Sequence, residues 1–261
     1  MSPQRGRNTR VVAALGALVL IALAGVLVVH VRHGAAGALA PAAAVASPSP
    51  SLSIATTPVN ERQTRWLVAE AKATTVAYER PSSSAPVRAT LPLLNAHRCV
   101  TVMLVRKTER IGGATWYDVW LPRRPDFGSG WVPASSVATY TTTAEIVVNL
   151  SARRLTIYRG GRVAGRFPVA IGSSTYPTPT GLFFVAEKTT PMPGSPFGVL
   201  ALGLSGYQPR LPDLGALAIH GTNNDALIGQ AVSEGCIRMH NADVLRVSRW
   251  VPAGSPVLIE R

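Results

Sequence analysis

Two reactive side chains stand sixteen residues apart towards the end of the sequence. His220 lies in Ala218-Ile219-His220-Gly221-Thr222-Asn223-Asn224, and Cys236 in Val232-Ser233-Glu234-Gly235-Cys236-Ile237-Arg238-Met239. A thiol is a strong nucleophile only as thiolate, and an imidazole beside it can take its proton. A Cys and a His in glycine-flanked turns are therefore a candidate nucleophile and general base. Residue type alone leaves a second reading, because a free cysteine is also among the most buried residues. A zinc site can be drawn from His220, Glu234, Cys236 and His240, but no C-x-x-C or H-E-x-x-H spacing supports it.

The segment that must position this pair, 144–260, is rich in strand signals. Ile146–Leu150, Arg154–Tyr158 and Arg166–Ile171 read as a meander with a Gly160-Gly161 hairpin turn. Tyr176-Pro177-Thr178-Pro179-Thr180-Gly181 denies helix and leads into the strand Leu182–Ala186. One helix is expected over 242–251, with Asn241 as its cap, stopped by Pro252-Ala253-Gly254.

Ahead of it, between Trp66 and Tyr140, come short β-prone runs: Thr75–Tyr78, Cys99–Val105, Thr115–Leu121 and Gly130–Val132. They are separated by turn signals at Gly112-Gly113 and Arg124–Gly128, the pattern of a small antiparallel barrel. Cys99 reads as a buried strand residue, too far from Cys236 to suggest a disulfide. Residues 32–62 are Ala, Pro and Ser with few large side chains, a composition that cannot bury enough surface to offset its ordering entropy and is expected to be a tether.

The uncharged run Val11–Val29 follows Arg5, Arg7 and Arg10 and is long enough to cross a ~30 Å hydrocarbon core. It predicts a transmembrane helix over 11–31, a cytoplasmic tail over 1–10, and the remainder outside. The run exceeds the ~7–15 residues of a signal-peptide core, which favours an uncleaved anchor over secretion. The net charge of +13 suits an anionic environment, but the arginines are scattered without interleaved aromatics, so nucleic-acid binding ranks low.

The motifs I-V-V-N-L-S-A-R-R-L-T-I-Y, P-T-P-T-G, I-H-G-T-N and S-E-G-C-I-R-M, in that order over 144–260, resemble the L,D-transpeptidase (YkuD) catalytic domain. W-Y-D-V-W-L-P followed by G-W-V-P-A-S-S-V, within 63–141, resembles bacterial SH3-like domains through Trp116 and Trp131. The resemblances imply a mainly β protein: an SH3-like barrel, then a sandwich-like catalytic domain with one or two helices. They imply cross-linking of peptidoglycan stem peptides at the cell wall, with no metal or other cofactor. Cys236 would form a thioester at the amide before a terminal D-alanine, and an amine of a neighbouring stem would resolve it.

Carried over residue by residue, His220 would be the base, and the Gly221 carbonyl would orient its ring. The Gly235 and Cys236 amides would hold the oxyanion. Arg238 would bind a substrate carboxylate or brace the loop, and Ser233 and Tyr207 would line the donor pocket. Glu234 departs from the pattern, which has His there. An anion beside the thiol raises its pKa unless it points away or pairs with a cation such as Arg238. The alternatives are a sortase-like enzyme, disfavoured by Arg238 standing only two residues after the cysteine, an L,D-carboxypeptidase, and a catalytically impaired wall-binding protein.

Overall fold

A computed structural model describes residues 63–122, 128–211 and 215–261. The expected tail, membrane segment and tether (1–62) lie outside the described residues, as does most of the Arg124–Gly128 turn. Among the described residues no helix is long and apolar enough to cross a membrane.

Seven strands form an antiparallel sheet: β1 (Trp66–Ala71), β2 (Thr75–Tyr78), β3 (Val87–Leu91), β4 (Val102–Ile111), β5 (Ala114–Trp120), β6 (Ser129–Pro133) and β7 (Val137–Thr142). Their order is β3-β2-β6-β5-β4-β1-β7. Trp116 on β5 is buried and meets the Tyr78 ring edge-on, whereas Trp131 on β6 stays half-buried. Cys99 is a correction. It sits half-buried in a turn, not in a strand, because Asn95 Oδ1 accepts from the His97 and Cys99 amides and Arg98 takes φ 61°. An Asx turn of this kind competes with strand pairing, so β4 begins only at Val102.

The second sheet carries ten strands' worth of chain with its small satellite: β8 (Ala144–Asn149), β9 (Arg154–Arg159), β10 (Arg162–Pro168), β11 (Ile171–Gly172), β12 (Gly181–Thr189), β13 (Ala201–Gln208), β14 (Gly215–His220), β15 (Ala231–Ser233), β16 (Ile237–Arg238) and β17 (Pro256–Glu260). Eight of these run in the order β10-β9-β8-β17-β12-β13-β14-β16, and β11 pairs with β15 alongside. The expected hairpin closes with both Gly160 and Gly161 at positive φ, as a two-residue turn requires. Helix α1 (Asn241–Trp250) is the one α-helix among the described residues. It buries Val244 and Val247, spaced one turn apart, in a core with Ile146, Ile157, Phe183, Leu202, Ile219 and Ile237.

A smaller apolar cluster joins the two sheets: Val68, Val102 and Leu104 meet Phe184 of β12, flanked by Trp66, Trp120 and Tyr140. The Tyr140 hydroxyl donates to the Ala253 carbonyl at 2.7 Å, giving this contact a direction. A side chain at Gly254 would overlap Val68, so the turn after α1 can lie against β1 only because that position is glycine.

Candidate active site

Alternation along the strands decides which side chains share a face. In β13, Leu202 and Leu204 enter the core, so Ala201, Gly203 and Ser205 face the other way. In β14 and β16, Leu217, Ile219 and Ile237 are core residues, which puts Ala216, Ala218, His220 and Arg238 on that same opposite face. Cys236, one residue before Ile237, joins them. The parallel register sets Ile219 opposite Ile237 and His220 opposite Arg238. Extending that register one residue beyond the start of β16 brings Cys236 beside Ala218 and diagonal to His220, with about 8 Å between Cα atoms from strand spacing and rise.

His220 is 2% exposed, and its Nδ1 lies 2.6 Å from the Gly221 carbonyl. That oxygen can only accept, so Nδ1 carries the hydrogen and Nε2 is left as the basic nitrogen. Burial lowers the His220 pKa to about 4; the Gly221 carbonyl opposes this, the Arg238 charge adds to it, and the Phe197 backbone again opposes it. The imidazole is thus neutral and able to accept a proton at neutral pH. Phe197 closes over it edge-on, ring centroids 4.8 Å apart. Cys236 is half-buried, with its sulfur 3.5 Å from the Ala216 carbonyl.

The loop before Cys236 is held internally. Ser233 is buried, its hydroxyl donating to the Cys236 carbonyl at 2.6 Å and accepting from the Gly235 amide at 3.1 Å. Ser233 therefore braces the turn, and the Gly235 amide expected at the oxyanion donates to its hydroxyl. Gly235 has φ 114°, and a Cβ there would come within 2.5 Å of Gln208 Nε2. Glu234 is exposed and forms no ion pair with Arg238 among the described residues. Arg238 is half-buried, and its Nε is buried without a hydrogen-bond partner. Tyr207 is half-buried opposite Ala216, beside the strand that carries the Cys236 contact. His240 pairs with Asp225 at 3.0 Å, and no group of three potential metal ligands occurs among the described residues.

Two further side chains hold the site together. Asn241, expected as a cap, is the first helical residue, and the N-cap is His240, which makes no side-chain capping bond. Instead, Asn241 Oδ1 accepts from the Val199 and Thr222 amides at 3.2 Å each, and its Nδ2 donates to the Thr222 carbonyl at 2.9 Å. It thereby staples the Phe197 loop to the turn after His220. Gln208, 1% exposed, donates to the Pro177 carbonyl at 2.7 Å, bracing the proline-rich turn from the spot that a side chain at Gly235 would fill.

A family model described as the L,D-transpeptidase catalytic domain, YkuD, matches residues 143–259. A Bacillus subtilis (strain 168) protein bearing the name L,D-transpeptidase YkuD is 43% identical over 122 residues, 47% of this chain and 69% of the relative. The chain belongs to the L,D-transpeptidase family. The enzyme is also 32% identical over 162 residues to an Escherichia coli (strain K12) protein bearing the name L,D-transpeptidase ErfK/SrfK, covering 54% of this chain and 51% of the relative. Among solved structures, an L,D-transpeptidase from Mycobacterium tuberculosis H37Rv aligns with 74% of this chain and 80% of its own, at 20% identity and a TM-score of 0.40.

Proposed function

We propose that this enzyme joins peptidoglycan stem peptides through a thioester on Cys236. The observation that carries the reading is the pairing of β14 with β16, which sets His220 opposite Arg238, two residues after Cys236, with the Gly221 carbonyl holding the imidazole Nδ1 so that Nε2 is the base. The Cys236 sulfur attacks the carbonyl preceding the terminal D-alanine as its proton passes to His220. The imidazolium then returns that proton to the departing D-alanine amine, leaving the acyl group on sulfur. An amine of a second stem attacks the thioester, and His220 accepts its proton and returns it to the sulfur. The Cys236 amide is the oxyanion donor in this reading, since the Gly235 amide serves Ser233.

Arg238 holds the carboxylate of the leaving residue. Its buried, unpartnered Nε supports this, because an orphaned guanidinium N–H is costly until an acceptor arrives. The first sheet is an SH3-like module that positions wall polymer, a reading supported by the half-exposed Trp131 and the Gly-Trp-Val-Pro strand. Residues 11–31 anchor the enzyme in the membrane with its folded part in the cell envelope.

Full-length protein incubated with tetrapeptide-stem fragments tests this by mass spectrometry. A tripeptide acyl adduct on Cys236, release of D-alanine and a cross-linked product are expected, and all three vanish in Cys236→Ser. Free tripeptide as the sole product makes the enzyme an L,D-carboxypeptidase, and no adduct refutes the mechanism.

A further inference from the structure

The register that places His220 beside Cys236 also builds a row across the sheet. Glu187 on β12 stands opposite Gly203 on β13, Gly203 stands opposite Ala218 on β14, and the β14–β16 register extended by one residue brings Cys236 beside Ala218. The neighbouring row is Thr189, Ala201, His220 and Arg238. Between the nucleophile and Glu187 the floor therefore carries only Ala and Gly side chains.

Glu187 reaches this face through a bulge: the pairing steps two residues on β12, Val185 to Glu187, against one on β13, Leu204 to Gly203. Its carboxylate leans over the glycine, since a Cβ at Gly203 would lie 2.7 Å from Oε1. The outer side is held by the turn between β3 and β4. Asn95 Nδ2 donates to Oε2 at 2.5 Å, and His97 Nδ1 lies 2.7 Å from Oε1. These groups, with Pro92, Thr101 and Ser205, line a cavity of about 400 Å³. No lysine or arginine pairs with Glu187 among the described residues, in a chain carrying 26 such side chains against 13 acidic ones. A negative group is thus held ready at the end of the row, with part of its lone-pair capacity unfilled.

The geometry points to Glu187 as a subsite for a primary ammonium, borne on the side chain of the residue whose carbonyl Cys236 acylates. The reach selects this group. From Gly203 to Cys236 is two strand spacings, about 10 Å. Six bonds separate a carbonyl carbon from the terminal nitrogen of a lysine-type side chain, about 7.5 Å when extended, and a hydrogen bond to the carboxylate adds about 3 Å. A side chain shorter by two carbons falls short, and a carboxylate there is repelled. Glu187 acts here as a specificity-determining residue for the acyl donor, a role that rests on the transpeptidase reading above.

The test uses full-length enzyme and two tetrapeptide donors, one with a free side-chain amine at the acylated residue and one with that amine acetylated. Formation of the Cys236 adduct is followed with no acceptor present, so only the donor is read. Acetylation is expected to lower the acylation efficiency of the native enzyme roughly tenfold, through the concentration for half-saturation, in line with losing one charge-assisted hydrogen bond. In Glu187→Gln the two donors are expected to differ by less than about twofold. Equal acylation of both donors by the native enzyme overturns the subsite alone, whatever the fate of the variant. An effect of Glu187 seen only when an acceptor amine is added overturns its assignment to the donor. No Cys236 adduct from either donor overturns the transpeptidase reading and the subsite with it.

Discussion

Acidification isolates the role of His220. Its pKa in the fold is about 4, whereas an exposed imidazole titrates near 6.5, so the unfolded chain takes up a proton in a range where the native protein does not. Where the unfolded state binds more protons, stability rises with pH; it must therefore fall as pH drops from 6.5 towards 4. At 1.36 kcal/mol per unit, the 2.5-unit difference destabilises the fold by roughly 3 kcal/mol across that window. The same shift keeps the base neutral, so Cys236 acylation should hold down to pH near 4. Urea unfolding of native protein and His220→Gln at pH 7 and pH 4.5 separates this proton from the carboxylates, which titrate in both. The native protein should lose roughly 2–3 kcal/mol more than the variant. An acid limb of acylation near pH 6.5, or equal losses in the two proteins, would refute the reasoning.

Three substitutions probe the supports around the pair. Gly235→Ala places a Cβ at φ 114° against Gln208 Nε2 and severs the bond from Gln208 to Pro177; it should cost about 2–4 kcal/mol in urea unfolding and reduce Cys236 acylation at least ~100-fold. Asn241→Ala removes three hydrogen bonds, one of them from the exposed Val199 amide, which water can satisfy. A loss of about 2 kcal/mol is expected, with faster hydrogen exchange at the Val199 and Thr222 amides and no change at the β8–β9 pairing. Phe197→Ala uncovers the imidazole and lifts its pKa, because burial is the main cause of the depression. The acid limb of acylation should move upward by about one pH unit, and an unmoved limb excludes Phe197 as the cover.

Cys236, His220 and Gly235 stood out as candidates because their signal is local: a thiol, an imidazole and a glycine within a few residues of recognisable motifs; the structure adds the pairing of β14 with β16 and the positive φ of Gly235. The Gly160-Gly161 hairpin and α1 were legible for the same reason, the helix to within one residue of its observed start and end. Asn241 was misread because an Asn before an apolar helical stretch is a good cap by local rules, while its partners here lie 19 and 42 residues away. β1 escaped because Trp-Leu-Val-Ala-Glu-Ala carries helix formers. Pairing with β4 on one side and β7 on the other overrides that preference.

The row from Cys236 to Glu187 was illegible for a deeper reason, since it depends on three strand registers and one bulge that no single stretch encodes. Yet β13 does carry a trace of it. In Ala201-Leu202-Gly203-Leu204-Ser205 the alternation is large against small, whereas a strand with one face in water alternates apolar against polar. The leucines account for the core. The small residues opposite them keep the face low between Cys236 and Glu187 without giving it the charged cover of a solvated sheet. Such a face suits an extended peptide laid across it, and under the proposed function the selectivity for the acyl donor lies with Glu187 on β12 and Arg238 on β16, on either side of the small residues.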